Sequence, residues 1–99
     1  MAVEFYKKAI GENPQDAQLH YELANILKSQ KDLEGAIKEF CTAIELKQDF
    51  ASAYFALGHA FYLKNEPFSS TICYIRAVEL DPQYDEPNTS LGNIYGKYQ

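Results

Sequence analysis

The chain has 99 residues, of which 46% are apolar and 23% are charged, so it has room for one globular domain. Nine Lys and Arg against 14 Asp and Glu leave a net charge of −5, which argues against a nucleic-acid partner. No apolar run approaches the ~20 residues of a membrane-spanning helix, and the charged residues Glu4, Lys7 and Lys8 interrupt any signal-peptide core. We therefore expect a cytoplasmic protein without nucleic-acid or membrane partners.

The residue types that most often carry catalysis or bind metals are scarce in this chain. It contains two cysteines, Cys41 and Cys73, and two histidines, His20 and His59. A disulfide scaffold would contain more cysteines, and a zinc site would contain Cys and His at close spacing. We expect reduced thiols buried as small hydrophobic side chains. We also expect no metal, no cofactor and no enzymatic activity.

A period of 34 residues runs through the chain. The clearest matching sets are Tyr6, Phe40 and Tyr74; Ala9, Ala43 and Ala77; Leu23, Leu57 and Leu91; and Ala24, Gly58 and Gly92. A fixed period of this length indicates a solenoid in which each repeat is a pair of stacked helices.

Apolar residues spaced three and four positions apart predict about six helices along the chain. These helices lie within residues 1–16, over residues 17–29, 33–46 and 51–63, from Pro67 to just before Pro82, and within residues 85–99. Polar turns at residues 29–32 and 64–66 separate the two helices of each pair. Pro67 fits the first turn of its helix, where a missing N–H is tolerated, and Pro87 fits the first turn of the last helix.

Small residues recur where neighbouring helices are expected to cross. They are Ala24, Gly58 and Gly92 on the first helix of each pair, and Ala36 and Ser70 on the second. Small side chains at a crossing let two helix backbones approach closely. Gly58 inside a helix costs ~1 kcal/mol of helix propensity, so its packing must compensate. We expect Leu57, Phe61 and Tyr74 to lie in the core.

Residues 51–84 carry the most complete copy of the repeat pattern. Its positions are Tyr54, Leu57, Gly58, Phe61, Ser70, Tyr74, Ala77 and Pro82. This pattern resembles the tetratricopeptide repeat (TPR), with Ser70 in place of the first Ala. Residues 17–50 resemble a second repeat, in which His20 and Gln48 replace the usual aromatic and Pro. Residues 1–16 resemble the second helix of a preceding repeat, and residues 85–99 the first helix of a following one.

The resemblance implies one all-α domain, an α-solenoid of antiparallel helix pairs that coils into a right-handed superhelix. It also implies a concave groove lined by the first helix of each repeat. The groove positions that we single out are Tyr21, Asn25, Lys28, Phe55, His59, Tyr62, Thr89 and Asn93. Tyr21 and Tyr62 are equally compatible with packing against a neighbouring helix. His59 is favoured as a solvated or partly packed residue, whereas Phe55 is favoured as a groove residue.

Two known TPR binding patterns are absent at the matching positions. The chaperone-binding clamp for a terminal carboxylate would need Lys, Asn and Arg where this chain has Tyr21, Asn25, Ala56, Glu86 and Ser90. Only Asn25 agrees, and Glu86 has the wrong charge to bind a carboxylate. The asparagine ladder of the sugar-transferring TPR enzymes would need Asn at Glu22, Ala56 and Ser90. Because Glu22, Asp85 and Glu86 are placed near the groove and the net charge is −5, we expect a neutral or basic peptide partner.

Three functional hypotheses follow from the resemblance. The first is a non-catalytic scaffold that binds a peptide or protein segment in its groove. The second is a structural module that forms homo-oligomers through exposed end helices. Its apolar stripes are Val3, Tyr6 and Ile10 at one end, and Leu91, Ile94, Tyr95 and Tyr98 at the other. The third is a regulatory TPR segment of a larger enzyme.

Overall fold

The computed structural model describes residues 2–83, and this part of the chain contains five α-helices and no strand. The helices are α1 Ala2–Glu12, α2 Ala17–Ser29, α3 Leu33–Leu46, α4 Ala51–Leu63 and α5 Pro67–Leu80. The predicted bounds of α2, α3 and α4 are confirmed, as is the start of α5. The predicted sixth helix within residues 85–99, and the apolar stripe on it, lie outside the described residues.

Local sequence signals explain where the helices begin. Asp16 precedes α2 and accepts a hydrogen bond from the backbone N–H of Gln18, while Asp32 precedes α3 and accepts one from Gly35. Each carboxylate satisfies one of the N–H groups that the first turn of a helix leaves without a partner. Pro67 occupies the first turn of α5, as predicted.

The turns within the two repeats have the same geometry. Lys31 and Asn65 stand at equivalent repeat positions, and both adopt a left-handed backbone, with φ of 71° and 67°. The next residue in each turn donates its N–H across it, from Asp32 to the Leu27 carbonyl and from Glu66 to the Phe61 carbonyl, both at 2.9 Å. This is a Schellman closure, and it reverses the chain so that the two helices of a repeat pack antiparallel.

Each helix packs against the next one along the chain, and α2 also contacts α4 directly. The larger core cluster contains Ala24, Ala36, Phe40, Ala56, Leu57, Ala60 and Cys73. Leu57 and Tyr74 are buried, as predicted. Phe61 is only half-buried at the edge of this cluster, so its assignment to the buried core is corrected. The first helices of the two repeats, α2 and α4, thus contact each other, and α3 packs against both of them.

Gly58 allows α4 and α5 to approach closely. A Cβ atom at this position would lie 2.7 Å from two ring carbons of Tyr74 and 3.2 Å from the Cβ of Cys73. Tyr74 is only 2% exposed, so its ring occupies the space that a larger residue would need. The close packing of α4 on α5 that Gly58 permits compensates for the cost of a glycine in helix propensity.

The two cysteines differ in their surroundings. Cys73 is buried, as predicted, and burial raises the pKa of its thiol to about 12. Cys41 is exposed on α3, so the expectation that it is buried is wrong. The reason is its helical position: Phe40 occupies the inward face, and the adjacent residue therefore points about 100° away from it.

Candidate functional site

The predicted groove residues of the first full repeat lie on one face of α2. Asn25 and Lys28 are half-buried there, one helical turn apart. Tyr21 is also half-buried, but its ring packs against Phe50 with centroids 4.9 Å apart and against Phe40 at 5.9 Å. These contacts favour the packing role for Tyr21, one of the two alternatives that its sequence position left open.

The second full repeat supplies three groove candidates from α4. Phe55 is half-buried, and its ring centroid lies 5.6 Å from that of Tyr74 on α5. Tyr62 is 37% exposed near the end of α4. His59 is half-buried between these two positions. The remaining candidates, Thr89 and Asn93, lie outside the described residues.

The structure joins the two repeats through a hydrogen bond between predicted groove residues. The Lys28 ammonium donates from Nζ to the His59 ring nitrogen Nδ1 over 3.2 Å. Burial lowers the pKa of Lys28, and both burial and the nearby Lys28 charge lower the pKa of His59. His59 accepts in this bond, which requires the neutral imidazole with its proton on Nε2.

The repeat pattern predicts Lys28 and His59 as separate groove residues and does not indicate the hydrogen bond between them. They are 31 positions apart, three fewer than the 34-residue period. His59 is therefore equivalent to Asn25, which lies one helical turn before Lys28 on α2. A search for polar pairs at the repeat spacing plus or minus one turn would have found it. The direct contact between α2 and α4 is what brings the two side chains together.

Glu22, which the sequence places near the groove, has a hydrogen-bond partner on the preceding helix. Its carboxylate accepts a hydrogen bond from the Tyr6 hydroxyl on α1 at 3.1 Å. Glu22 therefore takes part in the contact between α1 and α2. The other two acidic residues of the charge argument, Asp85 and Glu86, lie outside the described residues.

His20 has a structural environment that the sequence did not reveal. It is 8% exposed, and its Nε2 donates to the Pro14 carbonyl at 3.0 Å. Its Nδ1 lies 2.7 Å from a carboxylate oxygen of Glu39 on α3. The His20 ring, which stands where an aromatic residue is usual, thus links α2 to α3 and to the preceding turn through hydrogen bonds. These bonds supply the partners that a buried polar group needs.

Within residues 2–83, no group of three or more His, Cys, Asp or Glu is placed to hold a metal ion. No helix in the same part of the chain is long and apolar enough to cross a membrane.

Comparison with protein families decides the relationship that the repeat pattern suggested. Three models described as TPR or tetratricopeptide repeat match residues 5–38, 24–65 and 51–84. The matches overlap and together run from residue 5 to residue 84. The chain belongs to the tetratricopeptide repeat family.

Among curated proteins, this TPR chain is similar to protein O-mannosyl-transferase TMTC3 of Mus musculus. The two are 30% identical over 83 residues, which cover 83% of this chain and 9% of the transferase. The chain spans about a tenth of the length of the curated relatives that it matches, from 8% to 12%.

Two solved TPR structures share the fold over nearly the whole chain. The first TPR of Spaghetti (RPAP3), bound to the HSP90 peptide SRMEEVD, is 23% identical, with a TM-score of 0.94, and the match covers 98% of this chain and 77% of that one. YrrB, described as a TPR protein with an unusual peptide-binding site, is 28% identical, with a TM-score of 0.89, and the match covers 97% and 50%.

Proposed function

We propose that this TPR domain is a non-catalytic scaffold that binds an extended peptide or protein segment on the face formed by α2 and α4. The observation that carries the proposal is the 3.2 Å bond from Lys28 to His59, which joins the first helices of two repeats within the predicted groove. Asn25 lies one helical turn before Lys28 on α2, and Tyr62 lies one turn after His59 on α4. Both side chains are partly accessible to solvent. The peptide-binding descriptions of Spaghetti and YrrB support the same kind of partner.

The chemistry of these side chains suits a peptide backbone. The Asn25 amide offers both a donor and an acceptor, which match the C=O and N–H groups of an extended chain. Tyr62 offers a rigid aromatic surface with a hydroxyl group, and such residues often contribute a large share of binding energy. The net charge of −5 supports a segment that is neutral or basic overall. The proposal places the scaffold in the cytoplasm.

The test compares two exposed aromatic residues on different faces. The full chain is screened against immobilised random peptides, and selected peptides are titrated against Tyr62→Ala and Phe68→Ala. Phe68 is the matched control because it is 81% exposed on α5, the second helix of its repeat. We expect Tyr62→Ala to weaken binding about tenfold and Phe68→Ala to leave it unchanged. The opposite pattern would move the binding face to α5 and refute the proposal.

The charge preference has its own measurement. Basic and acidic versions of a selected peptide are titrated at low and high salt. We expect the basic version to bind more tightly at low salt, and this advantage to shrink as salt screens exposed charges beyond ~10 Å at 0.1 M. Tighter binding of the acidic version throughout would contradict the expected overall preference.

One observation favours a second candidate, a regulatory TPR segment of a larger enzyme. The curated relatives include a protein O-mannosyl-transferase, which this chain matches over 9% of its length. In this candidate the chemistry lies in another part of the same protein, and the TPR face holds a partner or substrate segment. The length of the encoding gene tests it, because an open reading frame that encodes only these repeats would refute it.

A further inference from the structure

The Lys28 ammonium occupies an unusual position for a lysine of this chain. It lies half-buried between α2 and α4, where one of its three N–H groups donates to His59. Lys64, in contrast, forms ion pairs with Glu34 and Glu66 while it remains exposed. Within residues 2–83, no carboxylate lies at ion-pair distance from Lys28.

The electrostatics of the pair agree with a cation that has no counter-ion within residues 2–83. Burial lowers the pKa of Lys28. The Lys28 charge in turn helps to lower the pKa of His59. A partly desolvated cation is stabilised by an anion that takes the place of the lost water. An ammonium group has three N–H donors, and within residues 2–83 only the one that bonds to His59 is engaged with a side chain.

Two acidic side chains that contact α2 or belong to it have partners other than Lys28. Glu22 accepts from Tyr6 on α1, and Glu39 is bonded to His20. Neither carboxylate neutralises Lys28. Within residues 2–83, the Lys28 charge is therefore without an acidic partner.

We infer that Lys28, supported by His59, binds the carboxylate of one Asp or Glu side chain within the segment held on the α2–α4 face. The inference rests on the proposed function and deepens it by naming one required side chain of the partner. It is compatible with a segment that is neutral or basic overall, since the acid is local and the net charge of −5 acts at longer range. Neither residue is one of the positions to which the terminal-carboxylate clamp maps, so this proposed contact is distinct from that clamp.

The role assigned to His59 is positioning. Its Nδ1 accepts from Lys28 and holds the ammonium between the two helices, which reduces the freedom that a long lysine side chain must lose when it binds a ligand. A glutamine at this position would retain an acceptor, whereas a leucine would not.

The experiment uses peptide arrays in which one position is Glu, Gln or Lys and the other positions are randomised, all with amidated C-termini. The full chain and its Lys28→Met, Lys28→Arg, His59→Gln, His59→Leu and Lys38→Met variants are applied at equal concentration. Lys38→Met is the matched control, because Lys38 is an exposed lysine on α3. The helical circular dichroism of each variant is measured first to show that it is folded.

We expect the native chain to prefer Glu over Gln at one register by roughly ten- to hundredfold, the range for a charge-assisted hydrogen bond. Lys28→Met should abolish this preference, while Lys28→Arg and Lys38→Met should retain it. His59→Gln should weaken it less than His59→Leu, which separates positioning from simple bulk.

Three outcomes would overturn the inference. Peptides that bind without any preference for Glu would refute it while leaving the proposed function intact. A preference for Glu that persists in Lys28→Met would place the acid at another site. Failure of every peptide to bind would refute both this inference and the proposed function.

Discussion

Replacing Gly58 by alanine sets a gain in helix propensity against a steric conflict. An alanine in a helix interior is favoured over glycine by ~1 kcal/mol. At this position, however, the new Cβ would lie 2.7 Å from two ring carbons of Tyr74, whereas carbon atoms in contact prefer ~3.5–4.0 Å. Tyr74 is 2% exposed and its ring packs against that of Phe55 in a tilted arrangement, so the ring has little room to move. Overpacking of this kind costs ~1–3 kcal/mol.

We therefore expect Gly58→Ala to lower the free energy of unfolding by about 0–2 kcal/mol, once the propensity gain is subtracted from the overpacking cost. Gly11→Ala is the matched control, because no atom lies within 4 Å of a Cβ built there. That variant should gain stability, by up to ~1 kcal/mol. Gly11 lies near the end of α1 and Gly58 lies inside α4, so the comparison shows the sign of the steric contribution at Gly58.

The assay is urea denaturation of both variants, followed by far-ultraviolet circular dichroism. A third variant, Gly58→Ala with Tyr74→Leu, tests the identity of the conflicting group. The cost of the alanine should shrink in that background, because contacting residues show coupling in a double-mutant cycle. Equal stabilisation by Gly58→Ala and Gly11→Ala would refute the close approach of α4 and α5 as the reason for the glycine.

Three further predictions concern buried or half-buried polar groups. Ser70→Ala should raise the free energy of unfolding by ~1 kcal/mol in urea denaturation, because the buried Ser70 hydroxyl has no hydrogen-bond partner within residues 2–83; a loss of stability would show that it has one. Cys41 should react with iodoacetamide in the folded chain, whereas Cys73 should be protected by burial and by a pKa of about 12. Mass spectrometry measures the labelling of each cysteine, and equal labelling would contradict this prediction. The His59 ring should titrate by NMR below ~6.5, and Lys28→Met should raise the midpoint. Because folding lowers the pKa of His59, its contribution to stability is present above pH ~6.5 and is lost as the pH falls through the folded-state pKa. An unchanged NMR midpoint in Lys28→Met would show that the lysine charge does not act on the ring.

The sequence alone was sufficient to predict the helical repeat architecture, because its signals act over short distances. The bounds of α2, α3 and α4 follow from apolar spacing and polar turns, and the start of α5 follows from Pro67. The small residue at position 58 predicted a close helix crossing, and the position of the Tyr74 ring shows why it is needed. These features depend on backbone conformation and on one helix face, both of which nearby residues determine.

The partners of the longer polar side chains depended on tertiary structure. The sequence placed Glu22 near the groove, but packing of α1 on α2 brings its carboxylate to Tyr6. The sequence predicts Lys28 and His59 as separate groove residues, whereas the contact between α2 and α4 brings them into a hydrogen bond. A lysine or glutamate side chain can reach partners on several neighbouring helices, so the distance and angle between helices decide its contacts. A residue's position in the repeat does not specify that distance and angle.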